Sequence, residues 1–100
     1  MKKEKCPVCD RHTERSEEQK RKLDNRLSRI EGQIRGIRRM IAEDAYCNDV
    51  LIQSAAALAA LKAFNRELLR NHLNHCVVRD IREGRPEVVD ELMTTLEKLI

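Results

Sequence analysis

The 100-residue sequence contains few aromatic residues, glycines and prolines. It has one Tyr, one Phe and no Trp, with three Gly and two Pro. The aromatic side chains on which bases stack and the frequent turns of an all-β domain are therefore lacking. No apolar run approaches the roughly 18 residues of a membrane span, and the charged N-terminus does not resemble a signal peptide. These absences favour one small all-α domain in the cytoplasm, with no membrane partner.

Charge is distributed unevenly along the chain. Residues 1–39 contain 13 Lys and Arg against 7 Asp and Glu, whereas residues 40–100 contain 7 against 10. This excess of positive charge predicts a polyanionic partner, nucleic acid in the first place. A solvated, charged helix face would produce the same pattern, so the alternative stays open.

Apolar spacing predicts three helices. We interpret residues 1–16 as a flexible N-terminal tail and residues 17–100 as a single helical domain. Ser16 and Gln19 have the spacing of a capping box, which predicts a helix from about residue 17 to residue 43. A second helix is expected from about residue 47 to residue 82, and a third after Gly84 and Pro86. The apolar stripe of the first helix consists of Leu23, Leu27, Ile30, Ile34, Ile37 and Ile41.

The second helix is too long for one small chain to cover. Its 36 residues would span roughly 54 Å at 1.5 Å per residue. Its middle, residues 54–63, is rich in alanine, and small side chains let two helices approach closely. We therefore expect two copies to cross antiparallel near residue 60, forming a dimer about a two-fold axis.

Three residues of the second helix have the chemistry of metal ligands. His72 and Cys76 lie four residues apart, on one face of a helix. Cys47 would lie roughly 44 Å from Cys76 on an unbroken α-helix, but an antiparallel partner brings it level with residue 74. The spacing thus predicts an intersubunit metal site. His75 is expected to point away from it.

The donor set indicates which metal would bind. Two thiolates and one imidazole suit Cu(I), while Zn(II) usually takes a fourth ligand. The alternative, in which Cys47 and Cys76 are small apolar residues and His72 is a hydrogen-bonded helix residue, stays open.

A second cluster of donors precedes the first helix. Cys6, Cys9 and His12 have half the ligand spacing of a zinc knuckle, so they are a possible second metal site, including one for Zn(II). Incidental thiols in a tail, or a fourth ligand donated to the main site, are the alternatives.

Three blocks of sequence resemble one known family. NRLSRIEGQIRGIRRMI (residues 25–41), DAYCNDVLIQSAA (44–56) and NHLNHCV (71–77) are similar to the copper-sensing operon repressors and their nickel-, cobalt-, formaldehyde- and persulfide-sensing relatives. The resemblance implies a bacterial homotetramer that binds double-stranded operator DNA and releases it when its inducer binds. An enzyme is not expected.

The resemblance also assigns residues. Cys47, His72 and Cys76 match the copper ligands of the family, and Tyr46 and Glu91 match residues that link the ligands to the last helix. For DNA binding, Arg26 matches a basic residue of the family, and charge and position alone add Arg29, Arg35 and Lys62. The function expected is a Cu(I)-responsive repressor. The alternatives are a Zn(II), Ni(II) or Co(II) sensor with an N-terminal fourth ligand, and a copper-handling protein that does not bind DNA.

Overall fold

The structure is a computed structural model that describes residues 13–99. Helix α1 spans Glu17–Ala42, α2 spans Cys47–Asn71, α3 spans Val78–Arg82 and α4 spans Val88–Leu99. A π-helical segment, His72–Val77, joins α2 to α3 without a break, so the three together form one continuous second helix. Residues 13–99 contain no strand. The predicted all-α class and three-helix protomer are confirmed. Cys6, Cys9 and His12 lie outside the described residues.

The predicted capping box begins α1. Ser16 Oγ accepts a hydrogen bond from the Gln19 backbone N–H at 3.1 Å, and Gln19 Oε1 accepts one from the Ser16 N–H at 3.3 Å. At the other end of α1 the chain reverses within residues 43–46, where Asp44 has a φ of 57°. This short connection makes α1 and α2 an antiparallel helical hairpin.

Burial is concentrated at one end of this hairpin. The buried apolar side chains are Leu23, Ile30, Cys76, Val77 and Val88. We call the end where α1 begins and the π-helical segment lies the closed end. The opposite end, where α1 ends and α2 begins, we call the open end, because its apolar side chains remain in solvent. They include Ile34, Ile41, Leu51, Ile52 and Leu58.

The turn between α3 and α4 is fixed by Asp80, which is buried at the closed end. Its Oδ1 accepts hydrogen bonds from Arg85 Nη2 at 3.0 Å and Arg79 Nε at 3.3 Å. The Asp80 carbonyl also accepts from the Arg85 backbone N–H at 2.8 Å, and Gly84 supplies the positive φ of 83° that the turn needs. The pKa of Asp80 is lowered, first by the Arg85 hydrogen bond and then by Arg79, although burial opposes the shift.

Two details of the helices differ from expectation. The second helix runs to Arg82 as predicted, and the longest dimension of the protein is 55 Å, but its interior is not uniformly α-helical. Apolar spacing does not reveal a six-residue π-helical segment, since the stripe continues through it. The last helix begins at Val88, after the turn that contains Pro86.

Candidate metal centre

One half of the predicted site lies in the π-helical segment at the closed end. Cys76 is 4% exposed and His72 is half-buried. Cys76 Sγ lies 3.2 Å from Thr13 Oγ1, which belongs to the segment that precedes α1. Side chains from both segments enclose a cavity of about 20 Å³, the space of a single water molecule or ion. Its lining residues are Thr13, Glu14, Arg15, Gln19, Leu68, Asn71, His72, His75 and Cys76.

His75 contributes to this cavity, although we expected it to point away from the site. A π-helix closes its hydrogen bonds from i to i+5 and therefore has more residues per turn than an α-helix. Neighbouring side chains such as those of His75 and Cys76 consequently diverge less than on an α-helix. His75 remains exposed to solvent while it lines the cavity.

The other half of the site lies at the open end. Cys47 is the first residue of α2, and it is an exposed free cysteine. The 25 residues of α2 alone span roughly 36 Å, so this thiol is far from the thiol of Cys76 in the same chain. Within residues 13–99 no three His, Cys, Asp or Glu side chains lie close enough together to hold a metal ion. One chain thus brings His72 and Cys76 together but not Cys47.

Both halves lie on one stripe of the second helix. Steps of four and three residues lead from Cys47 along the helix to His72, and a further four to Cys76, which is the spacing of a single helix face. This stripe contains Cys47, Leu51, Ser54, Leu58, Leu61, Asn65, Leu68, His72 and Cys76. Its leucines at 51, 58 and 61 are exposed. An uncovered apolar surface therefore connects the two half-sites.

The two residues that the resemblance linked to the ligands lie at opposite ends of the protein. Glu91 lines a cavity of about 280 Å³ between α2 and α4 together with His72. Tyr46 is the N-cap residue of α2, next to Cys47, and its side chain is exposed. Each half-site therefore has one of them beside it.

A basic groove runs along the hairpin between α1 and α2. It has a volume of about 770 Å³ and is lined by Arg26, Arg29, Gly32, Gln33, Gly36, Arg39, Met40, Gln53 and Ala60. A Cβ atom at Gly36 would meet nothing within 4 Å, so the groove is open there. Arg35 and Lys62, which were predicted to bind DNA, are exposed but do not line it.

Sequence reasoning missed Thr13, Arg15 and Asp80. No periodic pattern marks the first two, because they precede the helix; Thr13 contacts Cys76, a residue 63 positions away, and Arg15 lines the same cavity. Asp80 had a weak signal, an acidic residue in the last turn of a helix with Arg85 just beyond the glycine that ends it.

An all-helical protein with thiol and imidazole donors divided between two ends, and a basic groove on its first helix, has the features of a metal-regulated DNA-binding protein. The chain belongs to the metal-sensitive transcriptional repressor family, whose sequence profile matches residues 19–98. The family is one of transcriptional repressors and not of enzymes. Within the described residues no helix is long and apolar enough to cross a membrane.

Relatives of known name share much of the sequence. The copper-sensing transcriptional repressor RicR of Mycobacterium tuberculosis is 52% identical over 69 residues, which cover 69% of this chain and 72% of RicR. The copper-sensing transcriptional repressor CsoR of Bacillus subtilis is 42% identical over 85 residues, 84% of each chain.

Solved structures share the fold. CsoR with Cu(I) from Geobacillus thermodenitrificans is 41% identical with a TM-score of 0.83, over 87% of this chain and 92% of that one. The nickel-responsive transcriptional regulator InrS is 42% identical with a TM-score of 0.69, over 89% and 98%. Overall identity therefore does not separate a copper-responsive relative from a nickel-responsive one, and the donor residues must decide the metal.

Proposed function

We propose that this protein is a Cu(I)-responsive repressor that binds operator DNA without copper and releases it when copper binds between two chains. Cys47 of one chain, with His72 and Cys76 of another, would hold the ion. The observation that carries this proposal is the division of one stripe of the second helix into an exposed thiol at the open end and a His/Cys pair at the closed end.

An antiparallel dimer would bring the three donors together and would also cover the exposed apolar surface. When two copies of the stripe cross near residue 60, Leu58 and Leu61 lie close to the two-fold axis, and Cys47 lies level with residue 74 of the partner chain. The exposed leucines then pack against their counterparts, which removes apolar area from water. The same crossing creates two equivalent metal sites per dimer.

The donor set fits Cu(I). Two thiolates and an imidazole are soft ligands in a number that suits this ion, whereas Zn(II) usually takes four. The relatives named as copper sensors support the same choice. A Zn(II), Ni(II) or Co(II) sensor with an N-terminal fourth ligand is not favoured, although InrS responds to nickel.

The basic groove is the surface that we assign to DNA. Gln53 and Ala60 of the groove each follow a leucine of the second-helix stripe by two residues, about 200° around an α-helix, so the groove lies on the opposite side of α2 from that stripe. A dimer built through the apolar stripes leaves Arg26 and Arg29 free for phosphate contacts. Arg35 and Lys62 are additional candidates outside the groove. We also propose assembly into a tetramer, a specific operator and a cytoplasmic location, which the family resemblance supports.

Helix α4 is the element through which metal binding would change the conformation of the rest of the protein. Glu91 of α4 and His72 line the same cavity, so a change in the position of the imidazole reaches α4 directly. Allosteric coupling free energies between two sites are typically about 1 to 3 kcal/mol, which corresponds to a change in DNA affinity of up to roughly 150-fold.

An anaerobic Cu(I) titration of the protein on fluorescent operator DNA tests the proposal by anisotropy. We expect release at about one equivalent of Cu(I) per intersubunit site, and no release for Cys47→Ala or His72→Ala, while both variants still bind DNA. Release by Zn(II) or Ni(II) alone would contradict the choice of metal. No duplex binding at low salt would instead indicate a copper-handling protein.

A further inference from the structure

The turn of residues 80–85 is held by a side-chain and a main-chain contact between the same two residues. Arg85 Nη2 donates to Asp80 Oδ1 at 3.0 Å, and the Arg85 backbone N–H donates to the Asp80 carbonyl oxygen at 2.8 Å. The Asp80 side chain is 7% exposed, whereas that of Arg85 is 51% exposed. Asp80 is therefore the buried member of the pair, and Arg85 connects the chain that follows to it.

Helix α4 starts directly after Arg85. The Val88 backbone N–H donates to the Arg85 carbonyl oxygen at 3.3 Å, and the Glu91 N–H donates to the Glu87 carbonyl oxygen at 3.2 Å. Val88, the first residue of α4, is 3% exposed, so the start of the helix is packed as well as hydrogen-bonded. Glu91 lies three residues further along, a rise of about 4.5 Å on an α-helix. The position of Arg85 thus determines where Glu91 lies.

Glu91 lies between this turn and the proposed metal ligands. It lines the cavity of about 280 Å³ together with His72. It also lines a second cavity, of about 350 Å³, together with Asp80 and Arg85. Glu91 is the residue common to the two cavities.

The second helix connects the same groups along its own length. Cys76 follows His72 by four residues and Asp80 follows Cys76 by four, so Asp80 lies about one helical turn beyond the ligand pair. A path of contacts therefore runs from the ligands along the helix to Asp80, across the turn to Arg85, and through Glu91 back to His72. Hydrogen bonds, packed side chains and rigid helices of this kind carry energetic coupling between sites.

We propose that Asp80 and Arg85 are positioning residues that keep Glu91 beside His72, so that a movement of the imidazole on metal binding displaces α4 as a whole. Without the pair the turn would deform, and α4 would not follow the imidazole. Neither residue contacts copper or DNA. The proposal rests on the proposed function, in which the imidazole is a copper ligand.

Hydrogen exchange of the backbone amides, measured by mass spectrometry with and without Cu(I), tests the proposal. In the unchanged protein, Cu(I) should change the exchange rates both in residues 72–77 and in α4. Arg85→Met deletes the guanidinium but keeps an unbranched side chain. In this variant the response of residues 72–77 should remain, while the response of α4 should fall roughly tenfold. An equal response of α4 in both proteins, or none in the unchanged protein, would overturn the proposal.

Three further variants separate positioning from stability. Glu83→Gln removes the other carboxylate that Arg85 contacts and leaves the Asp80 contact in place, so the response of α4 should be unchanged. Arg85→Lys keeps the positive charge and should restore most of the response. Ile30→Val shortens a buried side chain of α1 and should lower the melting temperature while the response of α4 stays. Loss of the response in Ile30→Val would show that any loss of stability removes it, which would overturn the proposal.

The copper-free protein provides an independent measurement. If Arg85 positions Glu91, the changes in melting temperature caused by Arg85→Met and Glu91→Gln should not add in the double variant, because residues that share one network are energetically coupled. Additive changes would overturn the proposal.

The positioning role and the repressor function fail in different ways. If Cu(I) does not release DNA, but α4 responds in the unchanged protein and not in Arg85→Met, the repressor function is wrong and the positioning role stands. If Cu(I) releases DNA from both proteins equally and α4 responds equally in both, the positioning role is wrong and the repressor function stands.

Discussion

At the closed end of the hairpin one chain buries part of its own apolar surface, whereas at the open end the large apolar side chains are left in solvent. Leu23, Val77 and Val88 are nearly inaccessible, while Ile41 is 62% and Leu51 65% exposed. The α1 stripe is apolar at both ends, with Leu23 and Ile30 toward the closed end and Ile34 and Ile41 toward the open end. What changes is that α4 and the segment before α1 cover the closed end, while no part of residues 13–99 covers the open end.

The same comparison applies to the three proposed metal ligands, which are divided between the two ends. His72 and Cys76 lie together at the closed end in a π-helical segment, a conformation that often occurs at functional sites. A single thiol stands at the open end, at the start of α2. In the dimer proposed above, the closed end of one chain meets the open end of the other, so binding of a metal ion by all three donors would require assembly.

The largest effect is expected from a charge placed on the uncovered stripe. Leu51→Glu would bury a carboxylate without a partner twice in each symmetric dimer. An unpaired buried charge costs about 3 to 5 kcal/mol, so dissociation should increase at least roughly a thousandfold. Sedimentation velocity at micromolar concentration should then show monomers.

Ile52→Glu is the matched control. Ile52 is also exposed but lies about 100° around the helix from Leu51, off the stripe. Ile52→Glu should leave the dimer that is formed through the stripe intact. Equal dissociation by both variants would mean that the stripe is not the interface.

Mixed dimers test whether the site joins two chains. Cys47→Ala homodimers and His72→Ala/Cys76→Ala homodimers each lack a complete site. A dimer of one chain of each kind contains one complete site, because the intact Cys47 meets the intact His72 and Cys76. In a C6S/C9S background, mixing the two proteins should restore one Cu(I) per mixed dimer, measured by competition with a chelator.

An intrachain site would give a different result, since neither chain then holds all three donors and mixing restores nothing. Recovery of copper binding in either homodimer alone would show that one of the three residues is not a ligand.

The third prediction compares basic residues inside and outside the groove. Arg26→Ala should weaken operator binding roughly tenfold. The slope of the logarithm of the binding constant against the logarithm of the salt concentration should become shallower by about one for each lost phosphate contact. Cu(I) affinity should change little, because Arg26 does not line the cavity of His72 and Cys76. Anisotropy titrations at several salt concentrations measure both quantities.

Arg35→Ala is the comparison for that experiment. Arg35 is exposed but does not line the groove. A smaller loss than for Arg26→Ala is expected. Equal losses of DNA affinity in the two variants would mean that DNA binds the whole charged face of α1 and not the groove in particular.

Sequence periodicity predicted the helices and the separation of the proposed ligands within one chain. The capping box at Ser16, the length of the second helix and the stripe through Cys47 depend on local spacing, which the structure preserves. The separation of Cys47 from Cys76 then follows from helix geometry alone.

Features that depend on tertiary contacts were not predictable in the same way. The π-helical segment leaves the apolar stripe unbroken, so spacing cannot distinguish it from an α-helix. The contact between Thr13 and Cys76 joins residues that are distant in sequence, and neither residue type indicates from the sequence that the two side chains meet. The positions of Arg35 and Lys62 relative to the groove likewise depend on how α2 packs against α1.

The smallest effect concerns the turn that completes the closed end. Asp80→Asn removes the carboxylate that binds Arg85 and Arg79, so the variant should unfold at a lower temperature at pH 7. The lowered pKa of Asp80 means that its stabilisation is complete above its ordinary value of 3.8 and is lost as the pH falls further. The difference in melting temperature between Asp80→Asn and the unchanged protein should therefore shrink below about pH 3.8.

The control is Asp24→Asn, which removes an exposed carboxylate of α1. An equal loss of stability in both variants at pH 7 would show that the Asp80 turn does not hold the closed end together.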